Sequence, residues 1–413
     1  MNKKYSRNKY IHRVMEGRIK SALGVNPAVI LTGARQVGKS SLLKNLEGLK
    51  ISDYFTLDSY TDIETLKSGA ENIFKKPGIT IIDEVQKYPA VLNAVKAAID
   101  ASGRKKKFIL SGSANLLLAR SVSETLAGRA SYLKMGPFMA GEYAGIKGAN
   151  ALDALFAGKE PKACGFNGKF NLKRALWAGM MPVPLLILKN SLVPEWWQGY
   201  VDTYLERDLR DISSISDLSD YRKFMKTLSF FAGSMLNETT ISRETGISQP
   251  TIHRYLNLLE TTNIIARIPA YHMNKKKRVL KTPKIYWFDT GLINFFRGIY
   301  KPGEIDGILF EHFILNHIMI WASVKSPAAS VYCWRTVKGE EVDFIIEHAG
   351  RTAAIEVKTA SSISQKDAAG IYEFLKTYPS AAGGLIIYAG QKVQRLAGNV
   401  YAVPYQCVSG FPI

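Results

Sequence analysis

Cysteine is scarce in this chain: Cys164, Cys333 and Cys407 are its three copies in 413 residues, and they lie far apart. No pair has metal-ligand spacing, and an odd scattered set is no disulfide framework. That excludes a cysteine-held zinc module and a disulfide-stapled scaffold, and leads to the expectation of a reducing, cytoplasmic setting. Long apolar runs are also missing. No stretch approaches the roughly 20 apolar residues that cross a bilayer. The opening MNKKYSRNKYIHRVMEGRIK is basic but lacks the apolar centre of a signal peptide. A soluble protein with no membrane partner is expected. Acidic side chains are in deficit, 35 against 55 Lys and Arg, for a net charge of +20. Such an excess is an argument about partners, nucleic acid first and an anionic membrane surface second, and says nothing about fold. What is plentiful is apolar: 46% of residues are hydrophobic, as in globular proteins. A chain this long exceeds one ordinary core, so two to four domains are expected.

The most specific stretch is ILTGARQVGKSSLLKNL, Ile30 to Leu46. Val29, Ile30 and Leu31 read as a short buried strand. Gly33, Gly38, Lys39 and Ser40 then fit G-x-x-x-x-G-K-[ST], the phosphate-binding loop, with Ala34, Arg35, Gln36 and Val37 between the glycines and Ser41 after them. The glycines let successive backbone N–H groups aim at phosphate oxygens. Lys39 reaches the β- and γ-phosphates of ATP, Ser40 offers a hydroxyl to Mg²⁺, and the following helix carries Leu42, Leu43 and Leu46 on its apolar side. A second apolar strand, Ile79 to Ile82, ends in Asp83 and Glu84. Carboxylates at the end of a buried strand are costly unless they serve something. Asp83 is placed to hold Mg²⁺ and Glu84 to polarise the attacking water, which favours hydrolysis over nucleotide storage. A third strand, KKFILSGSAN, ends in Ser111 and Ser113, either a γ-phosphate sensor or an ordinary strand-end turn. Arg129 precedes a further strand.

These pieces, from Asn26 to Tyr143, resemble the AAA-type branch of the P-loop ATPases. The resemblance implies an α/β fold, with a parallel sheet between helices and nucleotide at the carboxyl ends of the strands. It also suggests Arg129 as an arginine finger acting on a neighbouring subunit of a homo-oligomer, a salt-bridged surface arginine being the plain alternative.

Composition shifts to Gly, Ala and Lys from Ala144 to Asn167, which marks a boundary. EWWQGYVDTYLERDLRDI follows, with Trp196, Tyr200, Tyr204 and Leu205 at helical spacing, read as core. It looks like a helical lid, from which Arg207 and Arg210 approach nucleotide. In ETTISRETGISQPTIHRYLNLLE a short helix ends at Gly246 and Ser248 caps the next, with Pro250 in its first turn. Ile252, Tyr255, Leu256 and Leu259 form one apolar face, leaving Gln249, His253, Arg254 and Asn257 outward. Helix, glycine turn, helix, then two strands around Lys275, Lys276, Lys277 and Arg278 resembles a winged helix. The longer helix would enter a DNA groove and the basic wing would grip phosphates; a purely structural connector is the alternative.

Near the end, KGEEVDFIIEHAGRTAAIEVKTASS reads as a hairpin. Its first strand carries Val342, Phe344 and Ile346 on one side and Asp343 on the other. Its second strand sets Glu356 and Lys358 on one face, thirteen and fifteen residues after Asp343. Two carboxylates can bind a divalent metal and a neighbouring lysine can assist at a phosphate. The trio resembles the core of restriction-endonuclease-like nucleases, with Glu311 matching the acid that fold supplies from its first helix. That family's usual proline before the first acid is Val342 here. In order, the parts resemble a prokaryotic family of AAA-type ATPases with a winged helix and a C-terminal domain of unknown function. The expected organisation is ATPase domain 1–145, lid 146–215, winged helix 216–285 and nuclease-like α/β domain 286–413. Three functions stay open: an ATP-hydrolysing DNA-associated nuclease, a nucleotide-regulated DNA-binding switch that does not cut, and an ATP-driven protein-remodelling assembly.

Overall fold

The computed structural model of the protein describes residues 10–112, 125–205, 218–274, 282–336 and 339–410. Packing divides the chain after Met135 into two compact units.

The first unit is built on five parallel strands, β1 (Ala28–Thr32), β2 (Ile51–Thr56), β3 (Ile79–Asp83), β4 (Lys107–Ser111) and β5 (Ala130–Lys134), in the order β2-β3-β4-β1-β5. The central strands are runs of Val, Ile, Leu and Phe without alternation, as expected where helices cover both faces. Ile30, Ile82, Phe108 and Leu110 are at most 1% exposed. Each such side chain contributes about 1.5–3 kcal/mol by leaving water. Helices α1 (Met15–Val25), α2 (Lys39–Lys44), α3 (Tyr60–Ile73) and α4 (Val91–Ala101) link or flank the strands. Ser59 caps α3 by accepting from the Asp62 backbone N–H. Because every strand runs the same way, the ends of β1, β3 and β4 lie together, and whatever follows them is gathered at one edge.

The second unit begins with α5 (Ala140–Ala144), the two-residue strand β6 (Ile146–Lys147), α6 (Ala151–Phe156) and β7 (Gly165–Phe166), which pairs with β6. Then come α7 (Leu172–Ala178), α8 (Pro182–Leu186) and α9 (Val193–Tyr200). Of the aromatic stripe of α9, Tyr200 is 3% exposed as expected, whereas Trp196 is half-buried against Tyr200 and Trp197, and it is Trp197, 1% exposed, that the core encloses. The backbone passes into a π-turn at Val201–Leu205, which ends regular α spacing there.

Helices α10 (Leu218–Phe230), α11 (Glu238–Thr245) and α12 (Gln249–Thr261) follow. Gly246 closes α11 in the left-handed region at φ 70°. Ile252, Tyr255, Leu256 and Leu259 of α12 are buried, and Gln249, His253 and Arg254 are exposed. Asn257 is instead half-buried and accepts from Arg267. Ser248 stands at the N-cap position, but its hydroxyl meets that of Thr251 at 3.0 Å and makes no cap bond to the backbone. Strands β8 (Ile265–Ile268) and β9 (Lys284–Trp287) form an antiparallel pair. The basic run from Lys275 to Arg278 between them lies outside the described residues, as do Arg207, Arg210 and Ser113.

After α13 (Thr290–Arg297) and α14 (Gly307–Val324) comes a six-stranded mixed sheet. Its strands are β10 (Ser330–Arg335), β11 (Glu341–His348), β12 (Arg351–Lys358), β13 (Gly383–Tyr388), β14 (Gln394–Arg395) and β15 (Val400–Pro404), ordered β10-β11-β12-β13-β15-β14. The first three are antiparallel, while β12, β13 and β15 are parallel. Helix α14 packs against β12, and α15 (Ala369–Thr377) covers β11 and β12. Among the described residues α14 is the one helix long and apolar enough to cross a membrane, and it is mostly buried inside the unit.

Candidate functional site

The first cluster forms at the carboxyl edge of the parallel sheet. Gly33 follows β1 at φ 151°, where a Cβ would stand 2.4 Å from the Met135 carbonyl oxygen, so a side chain is excluded. Gly38 sits at φ 101° and accepts the first α2 bond, from the Leu42 N–H at 3.0 Å. Gln36 is also left-handed, at φ 59°. The loop is braced from α1's entry: Arg13, 5% exposed, donates to the Val37 carbonyl at 3.1 Å, and Glu16 accepts from the Arg13 N–H at 2.9 Å.

Lys39 is buried, and its ammonium donates to the Gly33 and Ala34 carbonyls at 3.0 and 3.1 Å. Burial pushes its pKa down to about 8, against the pull of the Glu84 and Asp83 carboxylates and with a further push from Arg35. Asp83, at the end of β3, is held on both oxygens. Oδ1 accepts from the Ser111 hydroxyl and, at 3.1 Å, from the Glu84 N–H; Oδ2 accepts from the Tyr54 hydroxyl at 2.8 Å. Tyr54 itself has its ionisation pushed up, by burial first and then by Asp83. Glu84 adopts a left-handed backbone at φ 57°, unusual for a residue with a side chain, and bonds the Gln86 amide. Ser40 is half-buried at the start of α2 and Ser41 is exposed.

The donor set fits a magnesium nucleotide: a lysine stripped of water, two left-handed glycines and an acid positioned by three donors. Ser111 and Tyr54 steady Asp83. Tyr54, Arg13 and Glu16 carry no sequence signal, because each lies outside the motifs and reaches them through tertiary contacts. Arg129 is placed elsewhere. It precedes β5, at the amino end of the sheet, and pairs through two nitrogens with Asp100 at 2.7 and 2.9 Å. Within its own chain Arg129 does not approach the loop, because parallel strands put their beginnings a strand length from their ends.

The second cluster centres on Asp343 in β11. The β10–β11 register slips between Tyr332 and Trp334. The expected alternation is therefore wrong here: Val342 and Ile345 share one hydrophobic cluster, while Phe344 turns to Tyr286 at a 5.6 Å ring separation. Such a bulge re-aims a side chain, and here it lets the Asp343 carboxylate accept from the Val357 N–H of β12 at 2.8 Å. Glu356 Oε1 accepts from Lys358 at 2.7 Å, and Glu356 Oε2 is buried without a hydrogen-bond partner. Glu311 of α14 accepts from the Tyr286 hydroxyl, and Lys284 donates to Glu341.

Asp343 is the shared member. Burial raises its pKa, and the Val357 N–H, Lys284 and Lys358 oppose that rise. Burial, then the charge of Asp343, raises Glu311 and Glu356 each to about 7. Burial lowers Lys358, but Glu356 and Asp343 outweigh it and leave the lysine charged. The expected Asp343, Glu356, Lys358 and Glu311 thus come into electrostatic reach of one another through Asp343. Among the described residues, however, no three His, Cys, Asp or Glu side chains converge to hold a metal ion. Sequence reasoning missed Lys284, Tyr286 and Glu341. The alternation in PKIYW puts Lys284 and Tyr286 on one face, but nothing local says that this face meets the acids.

Comparison with known proteins follows the same order of parts. Residues 25–144 match the family described as an AAA domain, residues 169–302 a domain of unknown function (DUF8612) and residues 306–408 a domain of unknown function (DUF4143). Uncharacterized proteins of Mycobacterium tuberculosis and Mycobacterium bovis are each 26% identical over 394 residues, which is 94% of this chain and 82% of theirs. Among solved structures, a Walker-type ATPase of Pyrococcus abyssi is similar at 17% identity and a TM-score of 0.46, over 70% of this chain and 97% of that one.

Proposed function

We propose that this chain, a member of the prokaryotic AAA-type P-loop ATPases, hydrolyses magnesium ATP at the Gly33–Ser41 loop and acts in association with DNA. The observation that carries the reading is the buried Asp83 carboxylate, held on both oxygens within electrostatic reach of Lys39. Lys39 would hold the β- and γ-phosphates, and Ser40 and Asp83 would hold the ion. When bound, Mg²⁺ supplies neutralisation of phosphate charge. Glu84, fixed by its left-handed backbone, would orient the attacking water and take its proton.

Association with DNA is supported by the net charge of +20 and by the exposed Gln249, His253 and Arg254 on α12 behind a glycine turn. The test is ATP turnover with and without duplex DNA, together with binding as a function of salt. Stimulated turnover, with affinity falling steeply in salt, supports the reading. Turnover indifferent to DNA, with no salt-dependent binding, moves the function to protein remodelling.

The C-terminal cluster supports a regulator that does not cut. Lys358 and Lys284 occupy Glu356 and Glu341, and among the described residues no metal-holding group of three acids is formed, so no cleavage step through a metal is derived. One observation favours a nuclease instead: the buried, unpartnered Glu356 Oε2 beside Asp343. Supercoiled and linear DNA with Mg²⁺ or Mn²⁺, with and without ATP, decides between them. Cleavage lost in Asp343→Ala and Lys358→Ala establishes a nuclease, and Lys39→Ala then shows whether nucleotide gates it. No cleavage with intact ATP hydrolysis establishes the regulator.

A further inference from the structure

Sequence spacing separates the three cysteines, yet folding brings two of them together. Cys164 immediately precedes β7, and Cys407 lies in the single 3-10 turn Tyr405–Val408 that follows β15. Both thiols point at one carbonyl: Cys164 Sγ is 3.1 Å and Cys407 Sγ 3.9 Å from the oxygen of Lys162. The neighbouring Cys407 pulls the Cys164 thiol down, and Cys164 together with burial pushes the Cys407 thiol up. The packing that sets them there is independent of sulfur. Phe166 of β7 meets Tyr405 edge-on at 5.9 Å, and Phe170 lies 6.3 Å from the same ring. Cys164 is half-exposed while Cys407 is fully buried. One thiol is thus open to solvent, and its partner is held behind it.

We propose that Cys164 and Cys407 are an oxidisable thiol pair, a modification site that takes hydroperoxides and closes to a disulfide joining the segment before β7 to the turn after β15. Cys164 is the attacking group. Its thiolate displaces hydroxide from the peroxide O–O bond, giving a sulfenic acid and, with the proton released, one water. Cys407 sulfur then attacks the Cys164 sulfur. The S–S bond forms, the S–O bond breaks, and a second water leaves with the Cys407 proton. Two thiols lose two electrons and one peroxide gains them. An exposed thiolate beside a resolving thiol is the arrangement of redox-responsive cysteines. A dithiol reverses the step by exchange. Cys333 takes no part: it is 4% exposed and directed at the Ile268 and Pro269 carbonyls.

The experiment uses the reduced full-length protein, exposed to hydrogen peroxide, denatured and treated with N-ethylmaleimide, in wild type and in Cys164→Ser, Cys407→Ser and Cys333→Ser. Wild type is expected to lose two of its three alkylatable thiols as a monomer. Its mass falls by about 2 Da, dithiothreitol restores both thiols, and peptide mapping joins residues 164 and 407. Cys333→Ser loses both of its thiols in the same way. Cys407→Ser retains an unresolved sulfenic acid on Cys164, read by dimedone labelling, and Cys164→Ser keeps both remaining thiols. Retention of three thiols in the wild type overturns the proposal. So does a cross-link that maps to Cys333 or joins two chains, or a Cys407→Ser protein that dimedone does not label. Cys333→Ser is a control that leaves the pair intact, so a folding defect in one serine variant does not leave the result open.

Discussion

Removing the Ser111 hydroxyl tests whether the ATPase centre depends on how Asp83 is held. Ser111 is fully buried and donates to one Asp83 oxygen, while the Tyr54 hydroxyl donates to the other at 2.8 Å. Asp83 is itself 2% exposed, so water does not replace a lost donor. A hydrogen bond to a charged group contributes about 1.5–3 kcal/mol. If that energy is expressed in the transition state, Ser111→Ala lowers kcat by roughly 10- to 150-fold. Lys39 and the glycine loop are untouched, so nucleotide affinity should change by less than about threefold on the same energy scale. The assay is steady-state phosphate release across ATP and Mg²⁺ concentrations, with nucleotide affinity measured separately. Tyr54→Phe should behave similarly. Because both hydroxyls act on one carboxylate, the double variant should depart from the sum of the two single effects. Wild-type kcat and Mg²⁺ dependence in Ser111→Ala would refute the reasoning. An equal loss of binding and turnover would show that the hydroxyl maintains the loop rather than the acid.

Further outcomes follow from the same geometry. Arg129→Ala should hydrolyse ATP at the wild-type rate, because Asp100 holds the guanidinium at the far end of the sheet; a large fall in turnover would instead place Arg129 as a finger on a neighbouring subunit. With the Lys39 pKa near 8, the free protein loses this cation as pH rises past 8. Nucleotide affinity measured from pH 7 to 9.5 should then fall by up to about tenfold per unit, until the pKa of the bound form is reached. Asp289 is fully buried and its carboxyl is raised to about 7 by burial, against backbone N–H bonds from Met180, Gly291 and Met181. A raised folded pKa favours folding below the unfolded value of 3.8, and that contribution is lost as pH climbs through 7. The unfolding free energy of the second unit, from denaturant titration, should therefore drop between pH 4 and 7 by as much as about 4 kcal/mol, and Asp289→Asn should flatten that profile. Gly179→Ala would put a Cβ 1.7 Å from Asp289 Oδ1 at a φ of 88°; a cost of about 3–5 kcal/mol is expected from the same denaturation curves.

Much of the first unit was legible because its chemistry is local. The loop Gly33–Ser41 needs glycines and a lysine at set spacings, and the apolar runs ending in Asp83 and Ser111 announce covered parallel strands whose ends converge. Where Arg129 sits in its own sheet was not legible, for the opposite reason. Its place in the order of motifs matched an arginine finger, but order along the chain does not say at which end of a sheet a residue sits. In α9 the aromatic spacing predicted the helix and the burial of Tyr200 correctly, while the core takes up Trp197 more fully than Trp196.

In the second unit the trio Asp343, Glu356 and Lys358 could be named from a hairpin pattern, and Glu311 from the helix before it. Their environment could not be named. Alternation assigns faces only while register holds, and the slip opposite Tyr332 and Trp334 moves Phe344 to the other side. Lys284 and Tyr286 stand about 60 and 70 residues from Asp343 and Glu356, and no local rule links them.

The sequence by itself determined the ATPase class, the P-loop residues, the strand ends that supply Asp83 and Glu84, and the mixed α/β character of the C-terminal half. These follow from backbone conformations and apolar periods that a few adjacent residues impose. Tertiary structure alone decided that Ser111 and Tyr54 hold Asp83 and that Asp343 couples two groups of charges. It alone decided that Cys164 meets Cys407 across 243 residues of chain. Those pairings depend on which elements pack together, a property set by the burial of whole faces and by no short segment of the chain.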